Sequence, residues 1–157
     1  MTDPEFVTQA KAALGDRVGE ISNPATRRFF AALAPADLLE TMTILREKLG
    51  FVYVATISGV DLGESFEILY HFAIPGAQLN LRTQVPKSNP RLESICPVFP
   101  GAILYERELQ DMFGLKVDNI PDPRPLVLPD DWPAENYPLC KAWKHIRPEE
   151  KIPGGKS

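Results

Sequence analysis

Little in this 157-residue chain is suited to holding a redox centre. It has two cysteines, Cys96 and Cys140, too few and too far apart to read as a disulfide framework, while zinc sites and iron–sulfur clusters typically take about four ligands. Both read as ordinary reduced thiols. Its two histidines are His71, in a strand-like stretch, and His145, in a proline-rich one, and a lone histidine in either setting reads as packed or solvated rather than ligating. Basic residues are in deficit: 17 Lys plus Arg against 21 Asp plus Glu give a formal net charge of −4, which offers no field for drawing in nucleic acid or an anionic membrane surface. No run approaches the ~18 apolar residues of a membrane span, and MTDPEFVTQAKAAL lacks the basic and then apolar pattern of a leader. A soluble, cytosolic chain with no direct membrane insertion is expected. Also missing are G-x-G-x-x-G after a strand, G-x-x-x-x-G-K-[ST] and G-x-S-x-G, so neither a nucleotide loop nor a nucleophile elbow is expected.

What is present is an ordinary globular composition, 44% hydrophobic and 24% charged, in a chain the size of one domain. Thr2 or Asp3 before Pro4 starts a helix that Gly15 ends. Asp37 with Glu40 caps a second helix, in which Leu38, Leu39, Met42, Leu45 and Leu49 recur at helical spacing until Gly50. From Phe51 the period falls to two: Phe51, Tyr53, Ala55 and Ile57, then Phe66, Ile68, Tyr70, Phe72 and Ile74, then Leu79, Leu81, Thr83 and Val85. Gly63-Glu64 and Pro75-Gly76 connect these three strands too tightly for anything but antiparallel neighbours. Val18 to Ile21 and Arg27 to Leu33 add two shorter strands. The expected fold is α+β, a mostly antiparallel sheet with helices on one face.

The stretch YERELQDMFG, residues 105–114, reads as a helix of about three turns between Pro100-Gly101 and a left-handed cap at Gly114. Tyr105, Leu109, Met112 and Phe113 share its dry face, leaving Glu106, Arg107, Glu108, Gln110 and Asp111 on a charged one. Glu108 and Asp111 could hold a metal or share a proton, but no histidine or second carboxylate helix is at hand. A solvated face with an Arg107–Asp111 pair explains the helix; it does not explain so dense a cluster of charge.

Residues 1–114 therefore read as the core domain and 115–157 as an extended proline-rich arm. Eight of the 16 prolines fall after Gly114, and so do both tryptophans, Trp132 and Trp143. Prolines disfavour helix and weaken strand, yet free linkers are poor in the aromatic and aliphatic residues found here. A strap onto a partner is the favoured reading; a free linker and an arm docked back on its own domain stay open.

Y-E-R-E-L-Q-D-M-F-G-L, then D-x-R-P-L-V-L-P-D-D-W-P, then Y-P-L-C-K-A-W resembles the signature of the C-type, or 30-kDa, subunit family of respiratory complex I (NADH-quinone oxidoreductase). The same module is found in membrane-bound energy-converting nickel–iron hydrogenases. The resemblance implies a peripheral-arm subunit with no redox centre or active site of its own, on the cytoplasmic face of the membrane. Iron–sulfur clusters and flavin or nickel–iron would sit in partner subunits. The implied partners are the large hydrogenase-like subunit (49 kDa, D type), across which the arm would lie, and the small iron–sulfur subunit. The implied contact residues are Glu106, Arg107, Glu108, Asp111, Arg124, Leu128, Asp131, Trp132, Leu139, Lys141 and Trp143. Met112, Phe113, Gly114, Pro129 and Pro138 complete the signature. Asn119-Ile120-Pro121 stands where the complex I pattern has G-H-P, Arg124-Pro125 where it has two arginines, and Pro138-Leu139-Cys140-Lys141-Ala142-Trp143 where it has P-L-R-K-D-F. These departures keep a hydrogenase-type relative open beside a quinone-reducing one. A free-standing peptide-binding module is the reading from another class.

Overall fold

The structure is a computed structural model and describes residues 1–144. The remainder of the arm, with His145, lies outside the described residues. Helix α1, Asp3–Leu14, begins with a capping box: Thr2 Oγ1 accepts from the Glu5 amide and Glu5 Oε2 accepts from the Thr2 amide. Gly15 follows with a positive φ of 57°. Helix α2, Leu38–Lys48, is entered through a 3₁₀ turn at Pro35–Asp37. Asp37 makes no side-chain cap bond, a correction to the expected capping, because its backbone is already helical where a cap needs extended backbone.

Strands β1 (Ser22–Ala25), β2 (Arg28–Ala32), β3 (Val54–Asp61), β4 (Ser65–Ile74) and β5 (Ala77–Pro86) form a five-stranded sheet in the order β1-β2-β5-β4-β3. The meander β3-β4-β5 is antiparallel, as its short turns require, while β2 pairs with β5 in parallel. The expected strand at Val18–Ile21 lies later in the chain. Val18 makes only an isolated bridge to Leu33, and the hairpin is β1–β2, turning at Arg27 with a φ of 60°. Both Asp3 carboxylate oxygens accept from the Arg27 amide and so tie that turn to α1. The alternation expected from Phe51 also fails in part: the register slips between Val54 and Thr56, so Val54 and Ile57 face the core while Tyr53 and Ala55 are exposed.

The helices cover one face of the sheet. Phe6, Phe29, Phe51, Phe72 and Phe99 run through that core as a chain of tilted and edge-on rings with centroids 4.3–6.5 Å apart. Helix α3, Ile103–Phe113, packs against β3 so closely that a Cβ added to Gly59 would lie 2.5 Å from the Phe113 ring. A second, two-stranded parallel sheet pairs β6 (Arg91–Glu93) with β7 (Lys116–Asp118), the strand that leaves α3. It aims the arm back across the helix it has just left.

Candidate arm-docking site

Gly114 ends α3 in the left-handed conformation, φ 72°, as its position before an apolar turn predicts. The helix is not divided into a dry face and a solvated one, which corrects the sequence expectation. Glu106 is 1% exposed and Asp111 9% exposed. Each has found backbone donors in place of water.

Glu106 is turned toward the segment that follows β6. Its Oε1 accepts from the Ile95 amide at 2.7 Å, and its Oε2 accepts from Ser94 Oγ at 2.7 Å and from Cys96 Sγ at 3.2 Å. All three donors are neutral. Burial raises its pKa, opposed by those hydrogen bonds. Burial likewise pushes the Cys96 thiol up to about 11, so that sulfur is an inert packing group.

Asp111 and Arg107 face the other way, toward the arm. A single oxygen, Asp111 Oδ2, accepts from three successive amides, Leu126, Val127 and Leu128, at 2.8, 2.7 and 3.2 Å. The expected Arg107–Asp111 pair does not form. Arg107 instead donates through Nε to the Arg124 carbonyl at 2.7 Å and through a terminal nitrogen to the Pro125 carbonyl at 2.9 Å, with Asp122 3.4 Å away. Carboxylate and guanidinium thus read complementary backbone groups of consecutive arm residues. Asp122 is held below the usual carboxylate range chiefly by its bonds to Arg124.

A third anchor comes from the end of β3. The Asp61 side chain is 2% exposed; it accepts from the Gly63 amide at 2.8 Å, from Lys87 Nζ at 2.7 Å and from the Lys141 amide at 2.8 Å. The Lys87 bond leads in lowering its pKa to about 2, and the Lys141 and Gly63 amides add to it. Lys87 also lies 5.1 Å over the Phe66 ring. Between these anchors the Leu139 amide donates to the Met112 carbonyl, and the Tyr137 ring lies directly on the Gly114 Cα, where any side chain would collide with it.

The residues expected to meet a partner are placed as follows. Glu106, Arg107 and Asp111 are engaged within the chain, Glu108 is exposed, and Arg124 is exposed apart from its bonds to Asp122. Leu128 and Trp132 are half-buried, the latter donating from Nε1 to the Asn136 carbonyl at 2.6 Å; Asp131 is exposed. Leu139 and Lys141 expose their side chains while their amides are tied down, and half-buried Trp143 lines a cavity of about 440 Å³ with Phe66 and Phe113. Asp61 and Lys87 were not anticipated. Their relation to the arm is across 80 residues in the case of Asp61 and Lys141, and it runs to a backbone amide that leaves no pattern in sequence. His71 is a satisfied strand residue, with Nδ1 2.7 Å from Asn80 Oδ1 and Nε2 3.3 Å from Ser58 Oγ. No group of three or more His, Cys, Asp or Glu among the described residues could hold a metal ion, and no helix among them is long and apolar enough to cross a membrane.

Comparison with known proteins identifies the family and the fold. The family described as respiratory-chain NADH dehydrogenase, 30 Kd subunit, matches residues 31–149. An NADH-quinone oxidoreductase subunit from Chloroherpeton thalassium is 32% identical over 141 residues, covering 85% of this chain, which in turn spans only 58% of that protein's length. Membrane-bound hydrogenase subunit beta of Pyrococcus furiosus is 32% identical over 130 residues, 80% of this chain and 75% of that one. A chain in the structure of the membrane-bound sulfane sulfur reductase, an archaeal respiratory membrane complex, shares the fold with a TM-score of 0.81 over 91% of this chain and 86% of that one, at 21% identity.

Proposed function

The chain belongs to the respiratory-chain NADH dehydrogenase 30 Kd subunit family, and from that membership we propose that it is a non-catalytic, peripheral subunit of a membrane-associated electron-transfer complex. In this reading it binds the large hydrogenase-like subunit through its arm, contacts the small iron–sulfur subunit, and sits on the cytoplasmic face without entering the bilayer. Flavin, iron–sulfur clusters or nickel–iron belong to those partners. The observation that carries the reading is the docked arm. Core residues Arg107, Asp111 and Asp61 hold the backbone of arm residues 124–128 and 141, while the side chains of Leu126, Val127 and Leu139 are turned outward at 42%, 52% and 54% exposure. Exposed apolar groups on a backbone already fixed suit an assembly surface, because less ordering entropy is lost on binding.

The hydrogenase-type assembly is the second reading. It is favoured by Asn119-Ile120-Pro121 and Cys140 at the positions named above. Purification through a tag from gently solubilised membranes separates the two. Iron–sulfur subunits with flavin indicate the quinone-reducing type and nickel–iron subunits the other. Recovery of the chain without any partner subunit, under conditions that keep membrane complexes intact, would refute both.

A further inference from the structure

We propose that residues 122–141 form a strap closed on the core by two separate carboxylate posts, Asp111 at its start and Asp61 at its end, each able to open while the other holds. The inference concerns the chain by itself and goes beyond the assembly reading. At the first post one Asp111 oxygen collects the amides of Leu126, Val127 and Leu128 while Arg107 takes the two preceding carbonyls. At the second, Asp61 collects the Lys141 amide, two residues after Leu139 bonds the Met112 carbonyl. The posts stand on different elements, α3 and the end of β3.

What lies between them spans rather than packs. Pro129, Pro133 and Pro138 carry no amide hydrogen, and the bonds of Trp132 run within the segment, from its amide to the Pro129 carbonyl and from its indole to the Asn136 carbonyl. A cavity of about 410 Å³ separates this stretch from Gln110 and Asp111 on the helix. Beyond it the Tyr137 ring reaches down, onto Gly114. Residues 129–136 thus carry little of the attachment, and the contacts of residues 137–140 with α3 stand between the two posts, so opening at Asp111 has no direct path by which to release Lys141.

The second post also closes a compartment. Glu135, Tyr137 and Cys140 of the strap face Phe66, Lys87 and Phe113 of the core across the cavity of about 440 Å³. Breaking the bond from Lys141 to Asp61 would free the Lys87 side of this compartment, while the Leu139 amide on the Met112 carbonyl, Cys140 Sγ on the Phe113 carbonyl and the Tyr137 ring on Gly114 keep the rest of the wall on α3.

Amide hydrogen exchange on the full chain tests this residue by residue. In the wild type, the amides of Leu126, Val127, Leu128 and Lys141 should exchange about 100-fold more slowly than in an unstructured peptide. Asp111→Ala should release the first three and leave Lys141 protected, and Asp61→Ala should do the reverse, with protection in β4 and β5 certifying that the core is folded. Should a variant lose its core, the wild type in sub-denaturing urea gives the same answer: the two groups of amides should report different opening free energies. Peptide-like exchange throughout the strap, or common loss of all four amides in either variant, or a single shared opening energy, would overturn the two-post strap.

Discussion

At Asp111 a single oxygen holds three amides, so its removal leaves three backbone donors to find new partners. Asp111→Ala should lower stability by about 1–3 kcal/mol, read as a shift of the urea midpoint. Arg107→Ala should cost about 1 kcal/mol in the isolated chain, because its acceptors are carbonyls near the surface that water can serve instead. Glu106 offers a sharper test, since pH alone changes its charge. Its folded pKa is raised above 4.5, so between that value and the folded one the unfolded chain gives up its proton first. The fold binds more protons in that window, and stability falls as pH rises through it. Glu106→Gln removes the titration, so the advantage of wild type over this variant in urea denaturation should be largest near pH 4 and shrink toward pH 8. Asp61 has the opposite sign. With a folded pKa of about 2 against 3.8, it contributes stability above 3.8 that is lost as pH falls toward 2, and Asp61→Asn should flatten that acid limb.

The contact between α3 and β3 sets how closely the helix, and with it the docking groups, lies on the sheet. A methyl group at Gly59 would meet the Phe113 ring at 2.5 Å and Leu109 Cδ2 at 3.0 Å. Gly59→Ala should destabilise by about 1–3 kcal/mol, whereas Gly101→Ala, with nothing within 4 Å and no left-handed φ, should change the midpoint little. The same element shows what could be read from sequence. The strands at Phe66–Phe72 and Leu79–Val85 were legible because one face is buried at every second residue, and α3 was legible because Gly114 bounds it. The phase of β3 was not, since a bulge between Val54 and Thr56 adds a residue that periodicity cannot reveal. Nor was the parallel pairing of β2 with β5, which joins Phe29 to Leu79 across half the domain. The inward turn of Glu106 and Asp111 was hidden for a different reason: their partners are main-chain amides, which every residue but proline possesses.

For the whole molecule, the relation to be tested is that between the core and the arm laid over it. Every fully or nearly buried hydrophobic side chain among the described residues comes from position 117 or earlier, the last being Val117 in β7. Beyond it, Leu128 and Cys140 are only partly buried against the core, and most arm residues are exposed. A chain ending after Asn119 keeps β7, and with it the Ser94 amide bond to the Asp118 carbonyl and the Arg91–Asp118 ion pair. It should therefore unfold in one cooperative transition. Its stability should fall by less than the arm's bonds sum to. With the arm gone, water reaches Asp111 and the Lys141 side of Asp61, and Lys87 still pairs with Asp61, so neither carboxylate is left buried and bare. The expected loss is about 2 kcal/mol, comparable with Asp111→Ala alone, which loses the same three amide bonds. Urea denaturation of the two proteins side by side measures this. A broad, non-cooperative transition in the truncated chain would mean that the arm completes the core, and that the separation between core and docked strap is not a property of the folded protein.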